Sequence, residues 1–435
     1  MKKAFLILFC GMLALMLCMP FAFEAQAGSS KSTGEKAPAE KKEFNIWVFS
    51  GQEAAKYGEA LNRIMAEFEK KHPDFTVKLS TTPYPQYLDR IITAVRGGGG
   101  PDLIQNDVTW SPVLAYQGLI INLDKYWAKA PFKERDFFAA SIKTCKWKGS
   151  FYSVPQMDGH WGLIYYNKDL MAEAGIDPEK PYTYWDEFVE VAKKLTKPEI
   201  GQYGYAVMGA RDEGTTVSWA GFYATTGAKS WLSDDLTKAL VNSPNAVRAA
   251  KFKTDLALVH KVTPPGSANW TQWDSRSLFE TGKLGMYMSG SWERDILREE
   301  APDINFSFTY LPRPRDGAVS ADYGGWNWSI NMNSKYPDIA WDFIEMVTTV
   351  DNLDAISSLP PALVKATERR FAQWEKGQIV VDQVSNALTR PVHPFYTEIS
   401  DAIQTAIQSI LLGEKDAQKA MDDAAAEINV ILGRL

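Results

Sequence analysis

The chain has 435 residues, 45% hydrophobic and 23% charged, a balance that excludes wholesale disorder and is long enough for more than one core. Its 47 basic and 53 acidic residues leave a net charge of −6, which argues against nucleic acid as the main partner, because such binders carry a basic face. Four His and three Cys argue against a His/Cys metal centre, so neither metal nor cofactor is expected, while 15 Trp, 18 Tyr and 21 Phe form an aromatic surplus.

Lys2 and Lys3 precede an uncharged, mostly apolar run from Ala4 to Phe23, and Ala25-Gln26-Ala27 places small residues before a cleavage point at Gly28. This is the pattern of a secretory signal peptide over 1–27. A run of about 20 residues could also span a bilayer as a retained anchor, but Pro20 ahead of the cleavage region favours removal. Cys10 and Cys18 raise lipid attachment as a third reading, although Phe9 and Leu17 stand where a small residue is wanted. All three readings put the rest of the chain in the periplasm or otherwise outside the cytoplasmic membrane. Cys145 is then the one cysteine left, so no intramolecular disulfide can form and stability rests on the core. Residues 28–43 (GSSKSTGEKAPAEKKE) hold no large apolar side chain and read as a flexible tether.

Phe44–Phe49 alternates and predicts a strand that ends at Ser50-Gly51. Leu61, Ile64, Met65 and Phe68 then recur at helical spacing. A second strand follows at Phe75–Leu79, a second helix with Leu88, Ile91, Ile92 and Val95, and a third strand from Pro101. The intervening Gly97–Gly100 lacks the Lys-Ser/Thr of a phosphate-binding loop and follows a helix, so it predicts a turn. Alternating strands and helices imply parallel pairing, with ligand bound beyond the carboxyl ends of the strands. Ser50, Gly51, Tyr84, Asn106, Asp107 and Trp110 fall at that edge.

A second block opens near Phe151. Tyr152–Pro155 reads as a crossing strand or hinge, followed by Asp158-Gly159-His160-Trp161 and a strand over Gly162–Tyr166. Thr183 is placed to cap a helix, with Asp186 three residues on, and Trp185, Phe188, Val189 and Ala192 form its inward face. Phe279–Met286 holds a helix end, a Gly stop and a new strand. Ser289-Gly290-Ser291-Trp292 then turns from strand to helix.

Five segments, in order, resemble the extracellular solute-binding proteins of ABC importers, in particular the family-1, maltose-binding-like group. They are GGPDLIQNDVTW, LIYYNKDLMAEAGI with PYTYWDEFVEVAKKL, LFETGKLGMYMSGSW, GGWNWSINMNSKYPDIAWDFIEMV and LLGEKDAQKAMDDAAAEINVIL. The resemblance runs from Phe44 to Leu435. It implies an α/β fold of two lobes, each a doubly wound sheet flanked by helices, with a ligand cleft between them and more than one chain crossing. By this analogy the amino-terminal lobe takes 44–153 and 305–350, and the other lobe takes 154–304 and 351–435.

The aromatic surplus fits such a cleft. A sugar presents apolar CH faces and hydroxyls, so it needs flat rings plus a few carboxylates, amides or guanidiniums. The family uses the position of Trp292 for a sugar-stacking ring, and Trp292 is read as a ligand contact. Trp326, after Gly324-Gly325, stays open between ligand and core. Asp107, beside Trp110 beyond the third strand, is either a ligand acceptor or a helix cap. Asp158, His160 and Trp161 lie at the expected crossing. Trp273 sits in a polar loop with Trp270, next to Asp274 as a cap. Trp219 fits a helix face equally well, Arg390 either reaches a hydroxyl or pairs with an acid, and Ser50 and Tyr84 are placed by their loops. Trp185, Trp341 and Trp47 are assigned to the core. Ser50-Gly51-Gln52 and Asn106 depart from the maltose-binding pattern, so the family carries over better than its best-known ligand.

The expected function is capture of a mono- or oligosaccharide by lobe closure and its delivery to the permease subunits of an ABC importer, by a monomer. A polyol, a sugar phosphate or another small solute is the alternative. A secreted glycoside hydrolase also uses Trp platforms, but with 53 acids some carboxylate pair is always available, and the element order does not suit a closed barrel. A nucleophile elbow is not matched by Ser289-Gly290-Ser291. An adhesion protein would not need a cleft, and nothing repeats in the chain.

Overall fold

The computed structural model describes residues 41–50 and 55–435; the leader, nearly all of the tether and Gly51 lie outside them. Phe44, Ile46 and Val48 share one face of β1 (Lys42–Ser50) and are buried, as the period of two requires. β1 starts inside the expected tether, because Lys42 and Glu43 already pair with Phe75 and Thr76. It runs parallel to β2 (Phe75–Pro83) and β3 (Leu103–Asp107), with helices Ala55–Lys71 and Tyr84–Arg96 carrying the chain between them. Ile64 and Phe68, and Ile91 and Val95, bury the predicted helix faces.

A short hairpin of β4 (Lys146–Trp147) and β5 (Ser150–Phe151) leads to β6 (Val154–Trp161). The second sheet contains β7 (Leu163–Asn167), β8 (Tyr203–Tyr205), β9 (Leu284–Ser289) and β10 (Phe306–Tyr310) in the order β10-β7-β9-β8. Only β8 and β9 pair in parallel there. β11 (Asp322–Ile330) and β12 (Leu388–Thr389) return to the first sheet, whose order is β12-β11-β3-β1-β2 with β6 also on β11. The first-sheet core gathers Phe44, Ile64, Phe68, Trp328 and Phe343, and the second gathers Ile164, Phe188, Trp219, Met286 and Ile403.

Hydrogen-bonded pairing and core packing place the crossings later than the expected 153/154, 304/305 and 350/351. β6 belongs to the first sheet because its residues through Trp161 pair with β11. β10 belongs to the second because it pairs with β7. Leu353, Ile356, Leu363 and Ala366 pack in the first core, so the last crossing also comes late. The cap of the helix Trp185–Leu195 is likewise displaced, to Tyr184, one residue beyond the expected Thr183. Glu187, rather than Asp186, accepts from the backbone N–H groups of Thr183 (2.8 Å) and Tyr184 (3.2 Å), while Asp186 pairs with Arg315.

Candidate functional site

A cavity of about 290 Å³ is lined by residues of both lobes. Its first wall is built where β1, β11 and the helix Tyr84–Arg96 meet. Phe49 stacks on Trp326 at 4.4 Å between ring centres, and Tyr84 stands edge-on to both. Trp326 is buried, whereas Phe49 and Tyr84 are only partly so, which leaves more of those two rings available to a ligand. The facing wall comes from Trp292, which follows β9, joined edge to face at 5.2 Å by Trp161, the last residue of β6, whose ring packs against the second core where the chain leaves the first sheet. Trp292 precedes the helix Glu293–Glu300 and folds back over Gly290, where a Cβ would lie 1.9 Å from the indole. Only glycine leaves room for that ring. Trp273 completes the rim; it is 54% exposed, with Arg276 over its ring.

Polar groups enter between these walls. Asp107 ends β3 and accepts from the Thr109 backbone N–H (2.8 Å) and hydroxyl (2.7 Å), closing the turn before the helix Trp110–Tyr116. It also lines the cavity; the cap position of the following helix is taken by Thr109, so Asp107 closes the turn before the helix instead of capping it. Asp212 caps the helix Glu213–Thr225 and brings Glu213 and Gly214 to the lining. Arg390 is buried and donates to Glu213 at 2.7 Å. Arg276 forks onto buried Glu293, which also accepts from Tyr287 (2.8 Å) and Ser289 (2.7 Å). Bidentate charge-assisted pairs of this kind hold a guanidinium rigidly. Among the described residues no cluster of His, Cys, Asp and Glu could hold a metal ion.

Two lobes with a ring-lined, polar cavity between them form a cleft for a small solute. The bacterial extracellular solute-binding protein family matches residues 52–353, well over half of the chain. The chain belongs to that family. Relatives of this binding protein include one from Brucella abortus, described as a binding protein, 28% identical over 87% of this chain and 91% of its own length. The galactooligosaccharide-binding protein of Bacillus subtilis is 23% identical over 98% and 96%. Among solved structures, an ABC transporter solute-binding protein of Thermotoga lettingae, bound with α-D-tagatose, aligns with a TM-score of 0.80 at 29% identity, covering 90% of this chain and all of that one. The family and these neighbours are binding proteins of extracellular type, which places this chain outside the cytoplasm. Among the described residues no helix is long and apolar enough to cross a membrane.

Of the residues singled out in the sequence, Trp292, Trp326, Asp107, Trp273, Trp161, Arg390 and Tyr84 line the cavity. The other five do not. Trp110 is buried behind Tyr84, stacked on it at 5.2 Å. Trp219 is fully buried in the second core and donates its indole N–H to the Ala246 carbonyl. Ser50 ends β1 paired with Pro83. Asp158 and His160 lie on β6 but are buried between elements; Asp158 accepts from Ser141 and Tyr323. Neither ring nitrogen of His160 has a hydrogen-bond partner among the described residues. Trp185 and Trp341 are core, as assigned. Trp47 is only partly buried, with Arg90 over its ring. Sequence reasoning missed Phe49, Asp212, Glu213 and Arg276. Phe49 was hidden inside a run read as strand. The acidic pair Asp212-Glu213 ahead of a Gly-Thr-Thr helix start was the available signal for the other wall.

Proposed function

We propose that this protein captures a sugar in the cleft and delivers it to the permease of an ABC importer. The observation that carries the reading is the pairing of aromatic walls from both lobes with carboxylates and guanidiniums set between them. Rings cover the apolar faces of a sugar and charged groups bind its hydroxyls. The tagatose ligand of the Thermotoga protein and the name of the Bacillus relative support the same class. A volume of about 290 Å³ lies at the lower end of small-molecule sites, roughly 300–1,000 Å³, and favours a short sugar over a long chain. Both guanidiniums that line the cavity are already engaged, Arg276 by Glu293 and Arg390 by Glu213, so among the described residues lining it a sugar phosphate finds no unpaired cation. The protein acts as a monomeric receptor without catalysis, and the sugar leaves chemically unchanged.

The test is thermal unfolding of the exported chain against mono-, di- and oligosaccharides, polyols, amino acids and sugar phosphates. A micromolar ligand at millimolar concentration stabilises by about 4 kcal/mol. A rise in Tm with one sugar class, and recovery of that sugar intact after prolonged incubation, is the expected result. A rise with charged solutes alone would overturn the sugar assignment.

A further inference from the structure

Arg390 follows β12 at the last crossing between lobes and is 4% exposed. Its Nε donates to the Tyr323 carbonyl on β11 at 3.1 Å. One terminal nitrogen donates to Glu213 on the second-lobe helix, and the other lies 3.9 Å from Asp107 at the end of β3 in the first sheet. Asp322 on β11 stands 3.4 Å from Nε; it is fully buried, and neither of its carboxylate oxygens takes a hydrogen bond among the described residues. Glu213 is anchored in the second lobe by Ser400 (2.6 Å) and by Tyr396. The backbone is shaped around the guanidinium: a Cβ at Gly324 would come within 2.6 Å of its outer nitrogen.

One buried cation thus faces three carboxylates drawn from both sides of the cleft. A contact that served only to bind solute would need neither lobe's carboxylate tied to it beforehand. We propose that Arg390 is a positioning residue: it ties the lobes across the cavity floor, holds Glu213 and Asp107 on facing walls, and biases the protein toward closure before any ligand arrives. The proposal rests on the cleft reading but not on the identity of the sugar. Arg is suited to this because its planar fork spreads five donors over three nitrogens in a fixed geometry, whereas the three donors of Lys radiate from a single nitrogen.

The test uses the ligand-free exported chain, so it stands apart from whether a sugar binds. Small-angle scattering is compared for the parent, Arg390→Met, Arg390→Lys and Glu213→Gln, each first shown to be folded by circular dichroism and cooperative unfolding. Arg390→Met and Glu213→Gln are expected to raise the radius of gyration above that of the parent, and Arg390→Lys to restore part of the difference. A residue that merely stabilised the fold would lower Tm without moving the scattering curve of the native state. Should Arg390→Met fail to fold, Glu213→Gln, whose side chain is only partly buried, still decides. Curves identical to the parent for the folded variants overturn the proposal.

Discussion

Two buried ionisable side chains sit two residues apart on β6 with opposite preferences. Burial pushes the Asp158 carboxyl up to about 7, against the lowering effect of its hydrogen bonds from Tyr323 and Ser141. Burial also pulls His160 down to about 3. A carboxyl with a raised folded pKa contributes stability that is fully present below its unfolded value, about 4, and is lost as pH rises through 7. A histidine with a depressed folded pKa does the reverse: its contribution is complete above about 6.5 and is lost as pH falls. In Asp158→Asn the first effect disappears and the second remains. The stability of that variant relative to the parent is expected to increase by about 2–4 kcal/mol between pH 4 and 7.5, read from urea unfolding across the window. A pH-independent difference would remove the linkage. For the rings, Trp292→Ala and Phe49→Ala should each weaken sugar binding about tenfold in calorimetry if their faces meet the ligand. Trp110→Phe, buried behind Tyr84, should change affinity less than either.

Glu293 joins three elements. It starts its own helix, holds Arg276 from the helix Gln272–Glu280, and takes the hydroxyls of Tyr287 and Ser289 from β9. Breaking one half of a buried pair leaves an uncompensated charge, which costs about 3–5 kcal/mol. Glu293→Gln keeps the shape and should therefore lower stability by about 3 kcal/mol in urea unfolding and loosen the turn that carries Trp292. Elements were the most legible part of the sequence. The first three strands and their helices were readable because apolar spacing at 2.0 and 3.6 residues reports burial on a single face. β6 was harder: all but its last residue is buried, so no alternation marks its length, and its first residues resemble a hinge. The cavity lining was legible where a Trp stood in a turn, as at Trp292, and illegible at Glu213, because an acid at a helix start reads as a cap until the arginine facing it is known.

At the scale of the molecule, each lobe is assembled from separated stretches of chain. The family resemblance conveyed two lobes and a cleft, but not which sheet claims β6 and β10, since pairing partners far apart in sequence leave no local pattern. The core of the second lobe includes Ile428, Ile431 and Leu432 beside Trp219 and Phe188, more than 200 residues earlier in the numbering. Ending the chain at Leu411 is therefore expected to abolish cooperative unfolding of the second lobe, checked by calorimetry of the truncated protein. Long-range closure of this kind is slow, because loop entropy is lost before the contacts that offset it can form. The late crossings and the carboxyl-terminal helix thus bear on biogenesis as well as on binding. For a protein that works outside the cytoplasm, this means that a second lobe whose core draws on the final helix cannot consolidate before the last residues have left the ribosome.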